Sequence, residues 1–272
     1  MPVSTTADGR KIWQRRTTAT QWAIWAGWFA FVVLLVWCWE LMTETTIWAF
    51  VSDAPQQIAD LGSRMFPPRW SYIDQLVWPL LDTINIASLG TLLGVAIAVP
   101  IAFLAARNTS PSVLVLRPVA LFIIVASRSI NSLIWALLLV SIIGPGLLAG
   151  IIAIALRSIG FVGKLLYEAI EEIDERQVEA VRATGATGLQ VVDYGIVPQV
   201  LPAFFGISVF RWDINIREST ILGLVGAGGI GLQLQSSLNT LAWPQVTLIL
   251  LLILGTVVVS EWVSAKVRHA VI

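Results

Sequence analysis

Long apolar blocks, separated by short polar ones, make up most of this chain. From Trp22 to Leu41 the only charge is Glu40, at the very end. Thr83 to Ala106 has no charge at all, and Val119 to Ile143 carries only Arg128, near its middle. Leu147 to Phe161 holds Arg157 and is predicted to run on as helix through "GKLLYEAIEEI". Pro198 to Ile216 is a weaker block with Arg211 and Asp213, and Val246 to Val259 is aliphatic apart from threonine and glycine, reaching Trp262. A helix needs about 20 mostly apolar residues to cross a bilayer, so the pattern predicts six transmembrane helices and an all-α membrane protein. A cleaved signal peptide is the competing reading of the first block. It is too long for one, and no small-residue cleavage site follows.

Composition agrees. The 272 residues are 57% hydrophobic and 12% charged, with a mean hydropathy of +0.81. An average soluble domain carries about 25% charged residues, so this chain has too little polar surface to cover a globule in water. Several of its 13 tryptophans, among them Trp22, Trp48, Trp70, Trp78, Trp243 and Trp262, stand near block ends, where membrane interfaces favour them. The formal net charge is zero, which gives no pull towards nucleic acid. The lone Cys38 can form no intrachain disulfide.

The basic residues orient the helices. With the N-terminus inside, the cytoplasmic stretches hold Arg10, Lys11, Arg15, Arg16, Arg107, Arg117, Lys164, Arg176, Arg182, Lys266 and Arg268, against Arg64 and Arg69 outside. The positive-inside rule then places both termini in the cytoplasm. Residues 1–80 read as a tail, a first helix and an external segment. In that segment Ile58, Leu61 and Met65 have the spacing of an interfacial helix, a plain loop being as good a reading. Residues 81–272 read as the core, with one large cytoplasmic insertion at 168–199.

That insertion breaks at Gly185, after which Thr187 is placed to cap a short helix, Gly188 to Tyr194, ended by Gly195 and Pro198. Val178, Val181, Leu189 and Val192 would form an exposed apolar side. Such a side belongs either to an inert connector or to a docking element. The stretch "EAVRATGATGLQVVDYGIVP" resembles the EAA loop of bacterial ABC-importer permeases, in which E-A-A is followed by three residues, G, nine residues and I-x-L-P. Glu179, Ala180, Gly185 and Pro198 match; Val181, Gly195 and Val197 depart from the pattern. Together with "RSINSLIWALLLVSIIGPG" and "IRESTILGLVGAGGIG", the loop is similar to the phosphonate/phosphite (PhnE) type, with a departure at Asn131-Ser132 where Pro-Glu is usual.

The resemblance implies a MetI-like permease core in the inner membrane. It implies a homodimer with two ATP-binding cassette subunits and an external substrate-binding protein. Glu179, Ala180, Gly185, Ala186, Thr187 and Pro198 would couple this chain to the ATPase. No G-x-x-x-x-G-K-[ST] loop and no metal-spaced His/Cys cluster occurs in the sequence. The chain is therefore read as binding no cofactor and as no enzyme, with ATP and Mg used by the partner subunit. Transport of another small solute such as an amino acid, a secondary transporter, and a membrane oxidoreductase are the alternatives.

The last of these rests on "GAGGIG", Gly226 to Gly231, which contains the G-x-G-x-x-G of dinucleotide-binding folds. That motif needs a preceding strand and an acidic residue about 20 positions on. "RESTILG" precedes it, and the next acid is Glu261. Gly226, Gly228, Gly229 and Gly231 are read instead as a close-packed, non-helical or kinked segment at the outer end of the fifth helix, a gate or packing element. Charges inside the membrane face the bundle interior or water. Arg211 and Glu218 share a helical face with Asn215, while Asp213 and Arg217 share another. They are either ion pairs that lock helices or the lining of an anion path. With the family likeness the path reading falls on Arg128, Asn131, Arg211, Arg217, Glu218 and Ser219, and Asp213–Arg217 reads as a structural pair.

Overall fold

The computed structural model describes residues 3–5, 9, 11–13 and 18–271. Arg10, Arg15 and Arg16, counted above towards orientation, lie outside them. The chain forms two compact units, residues 1–60 and 61–272.

In the first unit, β1 (Val3–Thr5) pairs antiparallel with β2 (Lys11–Trp13). Helix α1 (Thr18–Thr43) follows, and not one of its residues is buried. Helix α2 (Trp48–Met65) begins in this unit and its last residues, from Leu61, belong to the second; it covers the segment with interfacial spacing and is helical from well before Ala54.

The second unit is a helix bundle. Its elements are α3 (Ile73–Ala105), α4 (Leu116–Ser129), α5 (Ser132–Ile143), α6 (Leu147–Glu171), α7 (Glu175–Ala183), α8 (Gly188–Val191), α9 (Val197–Gly223), α10 (Ile230–Asn239) and α11 (Trp243–Val271). Over the described residues five helices are long and apolar enough to cross a membrane, or six if α4 and α5 count as one bent span.

Helix α3 is the centre. Gly90, Gly94, Ala98 and Ala102 recur every fourth residue and are all buried. Small residues at this spacing let membrane helices approach closely, and α6 uses the opening. A Cβ on Gly90 would lie 2.7 Å from Ile154 Cγ2, and one on Gly94 would lie 2.6 Å from Ser158 Cβ.

Three expectations are corrected. Val119 to Ile143 is not one straight span: α4 and α5 meet at 87°. Asn131 is extended (φ −69°, ψ 145°), and its side chain accepts the Leu133 N–H at 3.1 Å. It thus starts a new helix, a role asparagine fills better than a place inside one. Second, the insertion breaks again before Glu175, where Asp174 accepts the Arg176 N–H at 3.0 Å and caps α7. Third, Gly195 and Pro198 do not end the helix begun at Gly188. A π-helical stretch, Val192–Ile196, joins α8 to α9, and the Val197 N–H bonds back to Val192 O. Pro198 falls in the first turn of α9, directly after the π-helical stretch.

Candidate functional site

At one end of the bundle the polar insertion folds back onto the helix ends. Val178, Val191 and Ile196 are buried with Ala102 and Ala106 from α3 and its C-terminus, Leu166 and Ile170 of α6, and Val200 of α9. The expected exposed apolar side is therefore largely turned inward. Val178 belongs to this core, Val181 and Val192 pack half-buried against it, and Leu189 alone of the four stands out, 83% exposed. The reason is local: α7 packs against the π-helical stretch, where a Cβ on Gly195 would lie 3.5 Å from Val178 Cα.

The residues expected to couple sit on this element. Glu179 and Ala180 are exposed on α7, and Ala186 packs against the core. Gly185 has φ +83°, and a Cβ there would meet nothing within 4 Å. Thr187 is extended at the start of α8, and its N–H donates to Gln190 Oε1 at 2.8 Å, half of a capping box. Arg117 and Glu171, 3.5 Å apart, brace the same end.

Mid-bundle, a polar chain crosses four helices. Asn215 of α9 donates to Thr91 Oγ1 of α3 at 2.7 Å and to Ser158 Oγ of α6 at 3.0 Å. Arg211 Nε also donates to Ser158 Oγ, at 3.0 Å. Its Nη2 lies 3.4 Å from Glu218 Oε2, and its guanidinium carbon stands 5.1 Å above the Phe161 ring. Glu218 Oε1 lies 3.7 Å from Arg157 Nε, and Arg157 Nη1 donates to Asn131 Oδ1 at 2.9 Å. Arg128, in the last turn of α4, lays its stem against Gly160 of α6: a Cβ there would be 2.7 Å from Arg128 Cγ.

The structure thus gathers Arg128, Asn131, Arg211 and Glu218 around Arg157 and Ser158. Ser158 had no sequence signal beyond its place in an apolar block, and Arg157 was visible only as a charge. Arg217 and Ser219 lie apart. Arg217 pairs with Asp213 at 2.5 Å, and Asp213 also accepts from Ser260 of α11 at 2.8 Å, so this pair ties α9 to α11. Ser219 is buried and donates to Ile216 O within its own helix.

At the opposite end from the insertion, a helix and not a strand precedes the glycine segment. Between α9 and α10 the chain makes a tight turn in which Gly226, Gly228 and Gly229 have φ of +90°, +83° and +74°. The Ile230 N–H donates to Thr83 Oγ1 at 2.8 Å, fastening the turn to α3. The turn is close-packed and non-helical from Gly226 to Gly229, whereas Gly231, expected in the same non-helical segment, lies in the first turn of α10.

Residues 98–269 match the family of binding-protein-dependent transport system inner membrane components. The chain belongs to that family. It is 40% identical over 240 residues to the phosphite transport system permease protein PtxC of Stutzerimonas stutzeri, covering 88% of this chain and 86% of that one. It is also 40% identical over 217 residues to the phosphate-import permease protein PhnE of Mycolicibacterium smegmatis, covering 80% of this chain but only 41% of the longer relative. Among solved structures, the MetNI methionine ABC transporter in inward-facing form has a chain that this one matches with a TM-score of 0.66 at 22% identity. The match covers 75% of this chain and 99% of that one; at that identity it speaks for the fold. The protein is a multi-pass inner-membrane transport component with a MetI-like core.

Proposed function

We propose that this chain is the permease subunit of an ATP-driven importer for a small phosphorus oxyanion: phosphite, phosphate or a phosphonate. The observation that carries the reading is the 40% identity to a phosphite permease along nearly the whole of both chains. The mid-bundle charges support it, since Arg157 and Arg211 share the single carboxylate Glu218. An excess of guanidinium at low dielectric draws an anion, and its fork suits a phosphorus oxyanion.

In this reading two copies of the chain assemble with two ATPase subunits, which hold the ATP and Mg, and with an external binding protein. Both termini lie in the cytoplasm. The element from Glu175 to Pro198 docks on the ATPase through its outward residues, with Glu179, Ala180, Gly185, Ala186, Thr187 and Pro198 setting its shape. Closure of the ATPase pair pushes that element against the ends of α3, α6 and α9. The solute passes the surface where Arg128, Asn131 and Glu218 meet, with Arg211 beneath and Arg217 and Ser219 in the supporting wall. Gly226, Gly228, Gly229 and Gly231 shape the far end of the path.

A second reading is uptake of an amino acid, since 86 residues are 31% identical to a probable D-methionine transport system permease protein, MetI of Vibrio cholerae. The deciding experiment is uptake into proteoliposomes containing permease and ATPase, driven by binding protein and ATP. Labelled phosphite or methylphosphonate should accumulate; accumulation of methionine alone would overturn the anion reading.

A further inference from the structure

The contacts of Arg157 assign it a part of its own, one that rests on the anion reading above. From Leu147 to Arg157 a rise of 1.5 Å per residue gives about 15 Å, half of a hydrocarbon core about 30 Å thick. A guanidinium at that depth must face water or the interior of the assembly. The two arginines that meet Glu218 are not equivalent. The Arg211 side chain is 1% exposed, enclosed by Glu218, Ser158 and the Phe161 ring. The Arg157 side chain is 31% exposed. The positive charge left over when two arginines share one carboxylate therefore falls on Arg157.

Arg157 is also held loosely. Charge-assisted N–H···O contacts normally run about 2.7–2.9 Å, whereas Arg157 Nε and Glu218 Oε1 are 3.7 Å apart. Among the described residues only Asn131 makes a close bond to it, at 2.9 Å through Nη1, fixing the plane of the guanidinium. Its Nη2 has no hydrogen-bond partner among the described residues. Glu218 reaches Arg157 with one oxygen while Arg211 holds the other.

We infer that Arg157 is the guanidinium that receives the transported oxyanion, and that Glu218 is its built-in competitor. An arriving anion displaces Glu218 Oε1 from Arg157 and takes the Nε and Nη2 donors. Arg211 keeps the displaced carboxylate close through Oε2. When the bundle rearranges, Glu218 returns to Arg157 and the anion leaves. An importer must release what it captures, and a carboxylate of the same charge as the cargo, tethered beside the binding donor, supplies that release. Arg211 is a positioning residue in this scheme.

The test uses the permease–ATPase complex in nanodiscs for equilibrium binding of radiolabelled phosphite, and in proteoliposomes with binding protein for uptake. Arg157→Gln should weaken phosphite binding about tenfold or more, since it removes the charge and the paired Nε and Nη2 donors, and Arg157→Lys should recover part of it. Glu218→Gln should bind phosphite several times more tightly yet turn over more slowly, a split that a structural lock would not give. Unchanged binding in Arg157→Gln, or unchanged or weaker binding in Glu218→Gln, would overturn the inference. Failure of both Glu218→Gln and Glu218→Asp to assemble would assign Glu218 to a helix lock and remove the competitor. If the unaltered transporter imports phosphite while these variants contradict the scheme, only this inference falls; if it imports no oxyanion, the reading beneath it falls too.

Discussion

Gly231 lies so close to the Thr220 carbonyl that a Cβ on the glycine would sit 2.0 Å from that oxygen. The partner is backbone, so no side chain can swing aside. Gly223 meets the same wall from the other side, with Gly228 O 2.6 Å from its would-be Cβ. The hairpin of α9 onto α10 therefore closes only with glycine at both positions. Gly231→Ala should cost more than the ~1–3 kcal/mol of ordinary overpacking and lower the thermal midpoint in detergent by many degrees. Gly255→Ala on α11, which meets nothing within 4 Å, is the control. It should leave stability unchanged or raise it by up to about 1 kcal/mol through helix propensity. Equal melting of the two variants would contradict the packing argument.

Gly185 is demanding for a different reason. With open space around it and φ at +83°, any effect of substitution is conformational. A left-handed backbone costs an L-residue roughly 1–2 kcal/mol, with Asn the most tolerant. The expected order of ATPase co-purification is Gly, then Asn, then Ala, with Val last, and uptake should follow it. The permease itself should remain in the membrane throughout. An order that tracks side-chain size rather than tolerance of positive φ would place the constraint in a contact instead.

How far the sequence disclosed all this depended on what kind of force was acting. The spans were legible because a bilayer imposes a simple rule on about 20 residues at a time. The same averaging hid the 87° bend, since one asparagine scarcely lowers the hydropathy of Val119 to Ile143 although it starts a new helix. The Asp213–Arg217 pair was visible because four-residue spacing within one helix suffices to join it. Ser158 was not, because its partners Arg211 and Asn215 stand more than 50 residues away and nothing local marks the meeting point. Val178 looked like a docking residue and proved to be core, because an apolar residue in a polar loop fits both roles until the loop's fold is known.

Ser158 gives the third prediction. Its hydroxyl serves Arg211 and Asn215 together, and the three link α6 to α9. Ser158→Ala removes the acceptor and leaves two buried donors short, each at about 1–3 kcal/mol. Gly94 packs on the same Cβ, so the alanine keeps the helix contact and isolates the hydrogen bonds. Melting of the purified permease should fall clearly, and Arg211→Gln should fall further, because it also removes the ion pair to Glu218 and the contact with the Phe161 ring. Stability equal to that of the parent in Ser158→Ala would mean that Arg211 and Asn215 find other acceptors.

Leu189 carries the last prediction. It is the first large apolar side chain after the Gly185 turn, 83% exposed, and Tyr194 beside it is 70% exposed. Val191, between them in sequence, is 5% exposed and belongs to the core. The short helix thus has an inner residue that anchors it to α3, α6 and α9 and outer residues free to enter a groove on another protein. The two kinds should separate in experiment. Leu189→Ala should leave the permease's melting unchanged, since no packed contact is lost, yet reduce its hold on the ATPase several-fold, as expected of an apolar anchor at an interface. Val191→Ala should lower the melting point first and loosen the ATPase only through that. Co-purification and thermal melting of the two variants, measured side by side, decide the matter. If Leu189→Ala binds the ATPase as well as the parent does, the outward side of this element is a solvated edge, and coupling must run through Glu179 and the face of α7.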